Sequence, residues 1–158
     1  MSEASVQAQL NDIVSIDGTF DIVDRRPYRI HQRIARDYRS GRVLLAGDAA
    51  HLNNLTGGMG MNGGIHDAFS LAATLTSVWQ GADPTTLDRY ARQRRPVAEQ
   101  QIIAQSDENR RRMTESDPAK QRKELVRLQQ IAADPAKAKP FLLRTSMITG
   151  LRQAAEIN

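Results

Sequence analysis

Arg42–Ala68 reads RVLLAGDAAHLNNLTGGMGMNGGIHDA: a short apolar run, a Gly-Asp pair, a polar loop, a glycine cluster and an amphipathic segment. Val43, Leu44, Leu45 and Ala46 form an uninterrupted apolar run of strand length, the pattern of a strand buried on both faces. Gly47 and Asp48 put a carboxylate just past its end, where ligands sit in open α/β sheets. From Gly64 a helix is expected. Ile65, Ala68, Leu71 or Ala72, Leu75 and Val78 repeat at helical spacing as its apolar face, and the helix should end near Trp79-Gln80-Gly81.

Gly58, Gly60 and Gly63 spell G-x-G-x-x-G, and Asp83 lies about twenty residues further on, where a ribose-binding acid would be sought. The context contradicts a pyrophosphate site. That fingerprint follows a strand directly and opens a βαβ unit, whereas here the polar loop His51–Thr56 intervenes. Asp83 sits in Gly81-Ala82-Asp83-Pro84, a helix start, and no second β-run follows it. What survives is a glycine-lined approach to a helix N-terminus, whose free N–H groups favour partial negative charge.

GRVLLAGDAAH followed by GGMGMNGGIHDAFSLA resembles the second flavin-contacting motif of the single-component, FAD-dependent aromatic hydroxylases, the p-hydroxybenzoate hydroxylase-like family. Tyr90, Arg94, Arg95 and Pro96 resemble the helix that follows in that family, and the resemblance extends over roughly residues 21–152. It implies that Asp48 accepts a hydrogen bond from a ribityl hydroxyl of FAD, with Gly47 letting the backbone approach. It further implies that Gly57, Gly58 and Gly60 pass close to the isoalloxazine. The backbone N–H groups of Met61 and Asn62 would face its N1/C2-carbonyl edge, where reduced flavin carries negative charge. Family members reduce FAD with NAD(P)H and use dioxygen to hydroxylate an electron-rich ring. The cofactor supplies the chemistry, and the protein orients it and excludes water.

Two features depart from the family pattern. Asn54 and Leu55 stand where the family carries a proline pair, whose fixed φ would hold the loop. Residues 1–40 contain a single glycine, Gly18, and no dinucleotide fingerprint for the ADP half of FAD. The expected fold is therefore α/β: the C-terminal part of an FAD/NAD(P)-binding fold, a few strands and then mostly helices, without the N-terminal βαβ unit. Residues 1–20 would be a leader or truncated remnant, 21–80 the C-terminal part of the FAD-binding domain with the Gly-Asp motif, and 81–158 its helical C-terminal region.

Composition bounds the remainder. The chain has 158 residues, 4% aromatics and a net charge of +4, with a mean hydropathy of −0.52 and a pI near 9.8. Its own core should be thin. The absence of cysteine excludes disulfides, thiolate zinc sites and cysteine nucleophiles, and three scattered histidines argue against a metal site. No apolar run reaches membrane-spanning length, and a cytoplasmic protein is expected.

Met1–Leu10 reads as a frayed leader or a helix stub, and Asp21–Arg36 as one or two strands interrupted at Pro27. Asp37–Gly41 would turn the chain into the buried strand. Pro84-Thr85-Thr86 opens a long helix, kinked at Pro96 and running past Arg112. Pro118 starts another, to about Ala133, and Pro135 and Pro140 precede a last helix over residues 141–155.

Simpler roles compete at several positions. Asp48 could cap the Ala-Ala turn, and Asn62 could be a helix N-cap. Asp67 would complement the dipole in the first helical turn. His51 reads as a satisfied polar side chain and His66 as structural or exposed. Arg89, Arg92, Arg94, Arg95, Arg110–Arg112, Lys120, Arg122, Lys123 and Arg127 read as a mixed-charge solvated face. Without aromatic platforms they argue against nucleic-acid binding by stacking.

Two functions of different classes follow. The first is an FAD-binding segment of an NAD(P)H- and dioxygen-using monooxygenase acting on an aromatic small molecule. It would be inactive as an isolated chain, with a homo-oligomer or a complementing N-terminal polypeptide supplying the missing half. The second is a non-catalytic, basic helical binding module.

Overall fold

Three helix starts share one chemical device. Asp83-Pro84, Asp117-Pro118 and Asp134-Pro135 each place a carboxylate whose Oδ1 accepts a backbone N–H two residues on, at Thr85 (2.8 Å), Ala119 (2.9 Å) and Ala136 (2.9 Å). The proline has no N–H to leave unsatisfied, and its φ already suits a first helical turn. The computed structural model describes residues 2–158. Among them the chain forms α1 (Glu3–Asn11), β1 (Arg33–Ile34), β2 (Arg39–Ser40), β3 (Val43–Leu44), β4 (His51–Leu52), α2 (Met59–Trp79) and α3 (Thr86–Val97). These are followed by α4 (Ala104–Thr114), α5 (Pro118–Ala132), α6 (Pro135–Thr145) and α7 (Ile148–Glu156). The expectation of a few strands followed mostly by helices holds.

The strands are shorter than the sequence suggests. β1 pairs antiparallel with β4, Ile34 opposite His51, and β2 with β3, Ser40 opposite Val43. The run Val43–Ala46 is not a strand buried on both faces: only two of its residues are paired, and Val43 is 62% exposed. A doubly buried strand needs neighbours on both edges and cover on both faces. Among the described residues β3 has one two-residue partner. The strands expected over Asp21–Arg36 reduce to β1, because residues 12–32 find no ladder to join. Gly41, at φ 58°, makes the tight turn from β2 to β3.

α2 begins five residues earlier than expected, at Met59 rather than Gly64. Gly57 and Gly58 adopt φ values of 97° and 63° and turn the chain into the helix, a left-handed path open to glycine at little cost. Gly58 is thus the N-cap, which removes Asn62 from that role, and Asp67 lies on the third turn rather than the first. The helix stops as predicted: Gly81 N–H donates to the Val78 carbonyl and Ala82 N–H to the Ser77 carbonyl, both at 3.0 Å, a Schellman closure.

The apolar face read from the sequence is only partly the buried one. Met59, Gly63 and Asp67 are buried, whereas Ile65 and Leu75 are exposed. Inward packing requires backbone closeness: a Cβ on Gly63 would stand 2.3 Å from Ile102 Cδ1. Glycine therefore sits at the closest approach, and of the predicted apolar face Leu71 packs partly buried against the core while Ile65 and Leu75 point away.

α3 and α4 form one nearly continuous rod, joined by a wide π-type turn over Ala98–Ile103, immediately after Pro96. The sequence predicts a kink at Pro96; the irregularity falls just after it, whereas the missing proline N–H concerns the Arg92 carbonyl one turn earlier. The end of the chain differs from expectation. Pro135 starts α6, Pro140 lies within it, and the break falls at Met147, at φ 63°, before α7. The core joins Tyr38, Ala50, Met59, Tyr90, Ala98, Ile102 and Met147.

Candidate functional site

Gly47, Asp48 and Ala49 form a single 3-10 turn between β3 and β4. Gly47, at φ 60°, reverses the chain, and its carbonyl accepts the Ala50 N–H at 2.8 Å. The turn rests on α2 backbone to backbone, because a Cβ on Gly64 would lie 3.3 Å from Gly47 Cα. Asp48 is exposed, and among the described residues its carboxylate takes no side-chain hydrogen bond, so it does not cap the turn.

The start of α2 lies against the same region. In a helix capped by Gly58, the N–H groups of Gly58, Met59, Gly60 and Met61 have no intrahelical acceptor. Gly58 N–H donates to the Leu55 carbonyl at 3.3 Å. Asn62 N–H is the first that the helical ladder takes up, which leaves Met61 the freer donor of the predicted pair. Both residues are exposed. Gly60 abuts the loop, since a Cβ there would come 2.8 Å from Asn53 Oδ1, and Gly63 is filled by Ile102. The G-x-G-x-x-G letters thus serve a helix cap and two packing contacts.

Asn54 supplies by side-chain bonding what a proline would supply by a fixed φ. Its Oδ1 accepts the Thr56 N–H at 3.1 Å, an Asx-type turn, and its Nδ2 donates to Gln32 Oε1 at 3.1 Å. Asn53 Nδ2 donates to the Asn54 carbonyl (2.7 Å) and to Ser106 Oγ on α4 (3.0 Å).

Beneath the turn lies a charged cluster that the sequence did not announce. Asp67, at 0% exposure, accepts from Gly47 N–H (3.1 Å) and His51 Nε2 (2.9 Å) on Oδ2, and from Arg94 Nε (2.7 Å) on Oδ1. A carboxylate only accepts, so the shared proton belongs on His51 Nε2. Burial pushes the Asp67 carboxyl up, but the hydrogen bonds from His51 and Arg94, the Arg94 charge and the Gly47 amide outweigh it. The group is held below the usual carboxylate range. Tyr38 stacks on His51 with ring centroids 6.5 Å apart, and Tyr90 Oη donates to the Leu45 carbonyl at 2.7 Å. Burial, followed by the Asp67 charge, raises both phenols. Burial and then the Arg94 charge hold half-buried His66 below the usual imidazole range, against the pull of Asp67.

His51 matches the expected satisfied polar side chain only in part: its Nε2 is paired with Asp67, while its buried Nδ1 finds no partner among the described residues. Arg94 corrects the solvated-face expectation: it is buried and paired. The signal for Asp67 was present as Met59, Gly63 and Asp67 at successive four-residue steps, but hydrophobic periodicity gives no weight to glycine or aspartate.

Residues 1–106 match the family described as an FAD binding domain. The para-nitrophenol 4-monooxygenase of Pseudomonas sp. (strain WBC-3) is 42% identical over 127 residues, which is 80% of this chain and 32% of that protein. The 3-(3-hydroxy-phenyl)propionate/3-hydroxycinnamic acid hydroxylase of Mycolicibacterium smegmatis is 48% identical over 83 residues, 52% of this chain and 15% of that one. Among solved structures, p-nitrophenol 4-monooxygenase from Pseudomonas putida DLL-E4 superposes with a TM-score of 0.74 at 35% identity, covering 92% of this chain and 40% of that one. The chain thus spans about a third or less of the curated relatives named here. No helix among the described residues is long and apolar enough to cross a membrane. With the family match running from residue 1 through the Gly-Asp turn, α2 and α3, the chain belongs to the FAD binding domain family of the FAD-dependent aromatic hydroxylases.

Proposed function

We propose that this chain is the flavin-contacting C-terminal segment of a monooxygenase that hydroxylates an aromatic substrate with NAD(P)H and dioxygen. The observation that carries this reading is the exposed Gly47–Asp48 turn seated against the N-terminal part of α2. A free carboxylate beside unpaired helix N–H groups fits FAD, whose ribityl hydroxyls donate and whose pyrimidine edge accepts. Asp48 would take a ribityl hydroxyl, with Gly47 admitting the backbone. Gly57, Gly58 and Gly60 would line the approach to the ring, and the first-turn amides, Met61 and then Asn62, would meet its N1/C2-carbonyl edge. Bound FAD would supply the redox chemistry with dioxygen, and the residues of this chain bind it, orient it and stabilise charge at the helix N-terminus.

In this reading residues 21–80 carry the contacts and residues 81–158 brace them. The ADP half of FAD would be held by a βαβ unit from a complementing polypeptide or the remainder of a longer chain. Alone, the chain would bind FAD weakly and hydroxylate nothing.

The competing basic-module reading gains no support from the charges. Arg127 pairs with Glu124, Arg144 with Glu108, Arg112 with Glu124, and Lys120 with Glu115. These contacts describe a solvated ion-pair face on α4–α6.

FAD titration followed by flavin fluorescence tests the proposal, using the chain alone and the chain supplemented with the N-terminal half of para-nitrophenol 4-monooxygenase. Binding should be weak alone and tighter with the supplement, and Asp48→Ala should weaken it about tenfold, the worth of one charge-assisted hydrogen bond. No binding in either setting would overturn the reading.

A further inference from the structure

We infer that Asp67 is the positioning residue of the Gly47–Asp48 turn, fixing from beneath the backbone that presents Asp48. This rests on the reading that the turn contacts flavin. The turn itself is only three residues long, and its Asp48 and Ala49 side chains are exposed and anchor nothing. Backbone bonds hold its flanks: Leu45 N–H donates to the Tyr38 carbonyl at 2.9 Å, and Ala35 N–H donates to the Ala50 carbonyl at 2.8 Å. Between those flanks the tie from the chain reversal to the protein interior is Gly47 N–H on Asp67 Oδ2, at 3.1 Å.

The sequence of α2 is arranged for that tie. Gly64 and Asp67 lie three residues apart on one helical face. The glycine lets the turn approach to backbone contact, and the carboxylate one turn later receives the amide. Asp67 is in turn held from two other elements, by His51 on β4 (2.9 Å) and Arg94 on α3 (2.7 Å), with Tyr38 and Tyr90 close by. Three donors from three elements converge on one buried carboxylate, so its rotamer is set by the tertiary fold and the turn inherits that precision. Asp67 itself lies beneath the turn, out of solvent, and acts on a ligand only through Gly47.

Amide hydrogen exchange in the 15N-labelled chain reads this contact without flavin. Gly47 N–H should exchange about 100-fold more slowly than the adjacent Asp48 N–H, reflecting a closed local contact. Asp67→Asn should cost at least about tenfold of that protection while β4 and α3 amides keep theirs, and should weaken FAD binding in the supplemented titration about tenfold. Gly64→Val is the companion variant. It leaves Asp67, His51 and Arg94 intact, favours helix, and pushes Gly47 away, so it should lower Gly47 protection and FAD affinity alike. Unchanged Gly47 protection in both variants overturns the inference whatever FAD does, as does lost protection with unaltered FAD affinity. Lost protection in a protein that never binds FAD would sink the flavin reading and leave the clamp standing.

Discussion

The two faces of α2 are built on opposite principles. The inner face carries Met59, Gly63, Gly64 and Asp67, two glycines and a charge beside one core methionine, packed against the Gly-Asp turn, β4, α3 and the π-type turn. The outer face carries Met61, Ile65, Phe69 and Trp79, with Phe69 79% and Trp79 92% exposed. An isolated helix would be expected to turn the apolar set inward. The reversal follows from distance. Residues lacking bulk let backbones approach until an amide can reach a carboxylate, whereas Ile65 and Phe69 would hold α3 and the turn apart. Hydrophobic pattern reports which residues favour burial, while closeness reports which residues must be small.

The contrast predicts unequal responses. Asp67→Ala should have the largest effect, because it strands Arg94 and His51 without their shared acceptor inside the protein. Breaking a buried pair of this kind costs about 3–5 kcal/mol, measurable by urea denaturation, and a loss below about 1 kcal/mol would show that the cluster does not anchor the inner face. The same pair sets an acid limit. The Asp67 carboxyl is held below the usual range, so its contribution is fully present above the ordinary carboxylate pKa and fades as pH falls through the lowered folded value. Asp67→Asn should flatten that acid limb of the denaturation midpoint.

Gly63→Ala comes next. The new Cβ meets Ile102 Cδ1 at 2.3 Å, and overpacking costs about 1–3 kcal/mol, offset in part by the ~1 kcal/mol helix preference of alanine. Adding Ile102→Val removes the clashing methyl and should return part of the loss; a double variant no better than the single would locate the strain elsewhere. The smallest response belongs to the outer face. Trp79→Ser and Phe69→Ser should each move the stability of the chain by no more than about 0.5 kcal/mol, and a cooperative loss well beyond that would mean something covers this face in solution.

Much of the local structure was legible. Asp83-Pro84 and Asp117-Pro118 begin helices because capping and proline geometry are properties of neighbouring residues, and Gly81 ends α2 for the same reason; Asp134-Pro135 uses the same device but reads from the sequence as a break. Pro96 flags an irregular stretch of this rod, although the π-type turn falls after it rather than at its missing N–H. Strand length was not, since it depends on partners: Val43–Ala46 looks buried in isolation, but β3 has two paired residues. The helix start slipped from Gly64 to Met59 because two left-handed glycines can reverse the chain just before a helix as readily as interrupt one. Asn54 looked like a loss of rigidity, yet its side chain closes the loop by hydrogen bonding.

The sequence by itself determined the family, the placement of the Gly-Asp pair and the order of helices as far as α5, all of which rest on short runs whose chemistry is local. Only the tertiary structure decided that Asp67, His51, Arg94 and the Gly47 amide share one buried site. Asp67 lies 16 residues from His51, 27 from Arg94 and 20 from Gly47, and no local preference links them. Their union comes from helix packing, and burial makes it obligatory, since a carboxylate and a guanidinium leave water only as a pair.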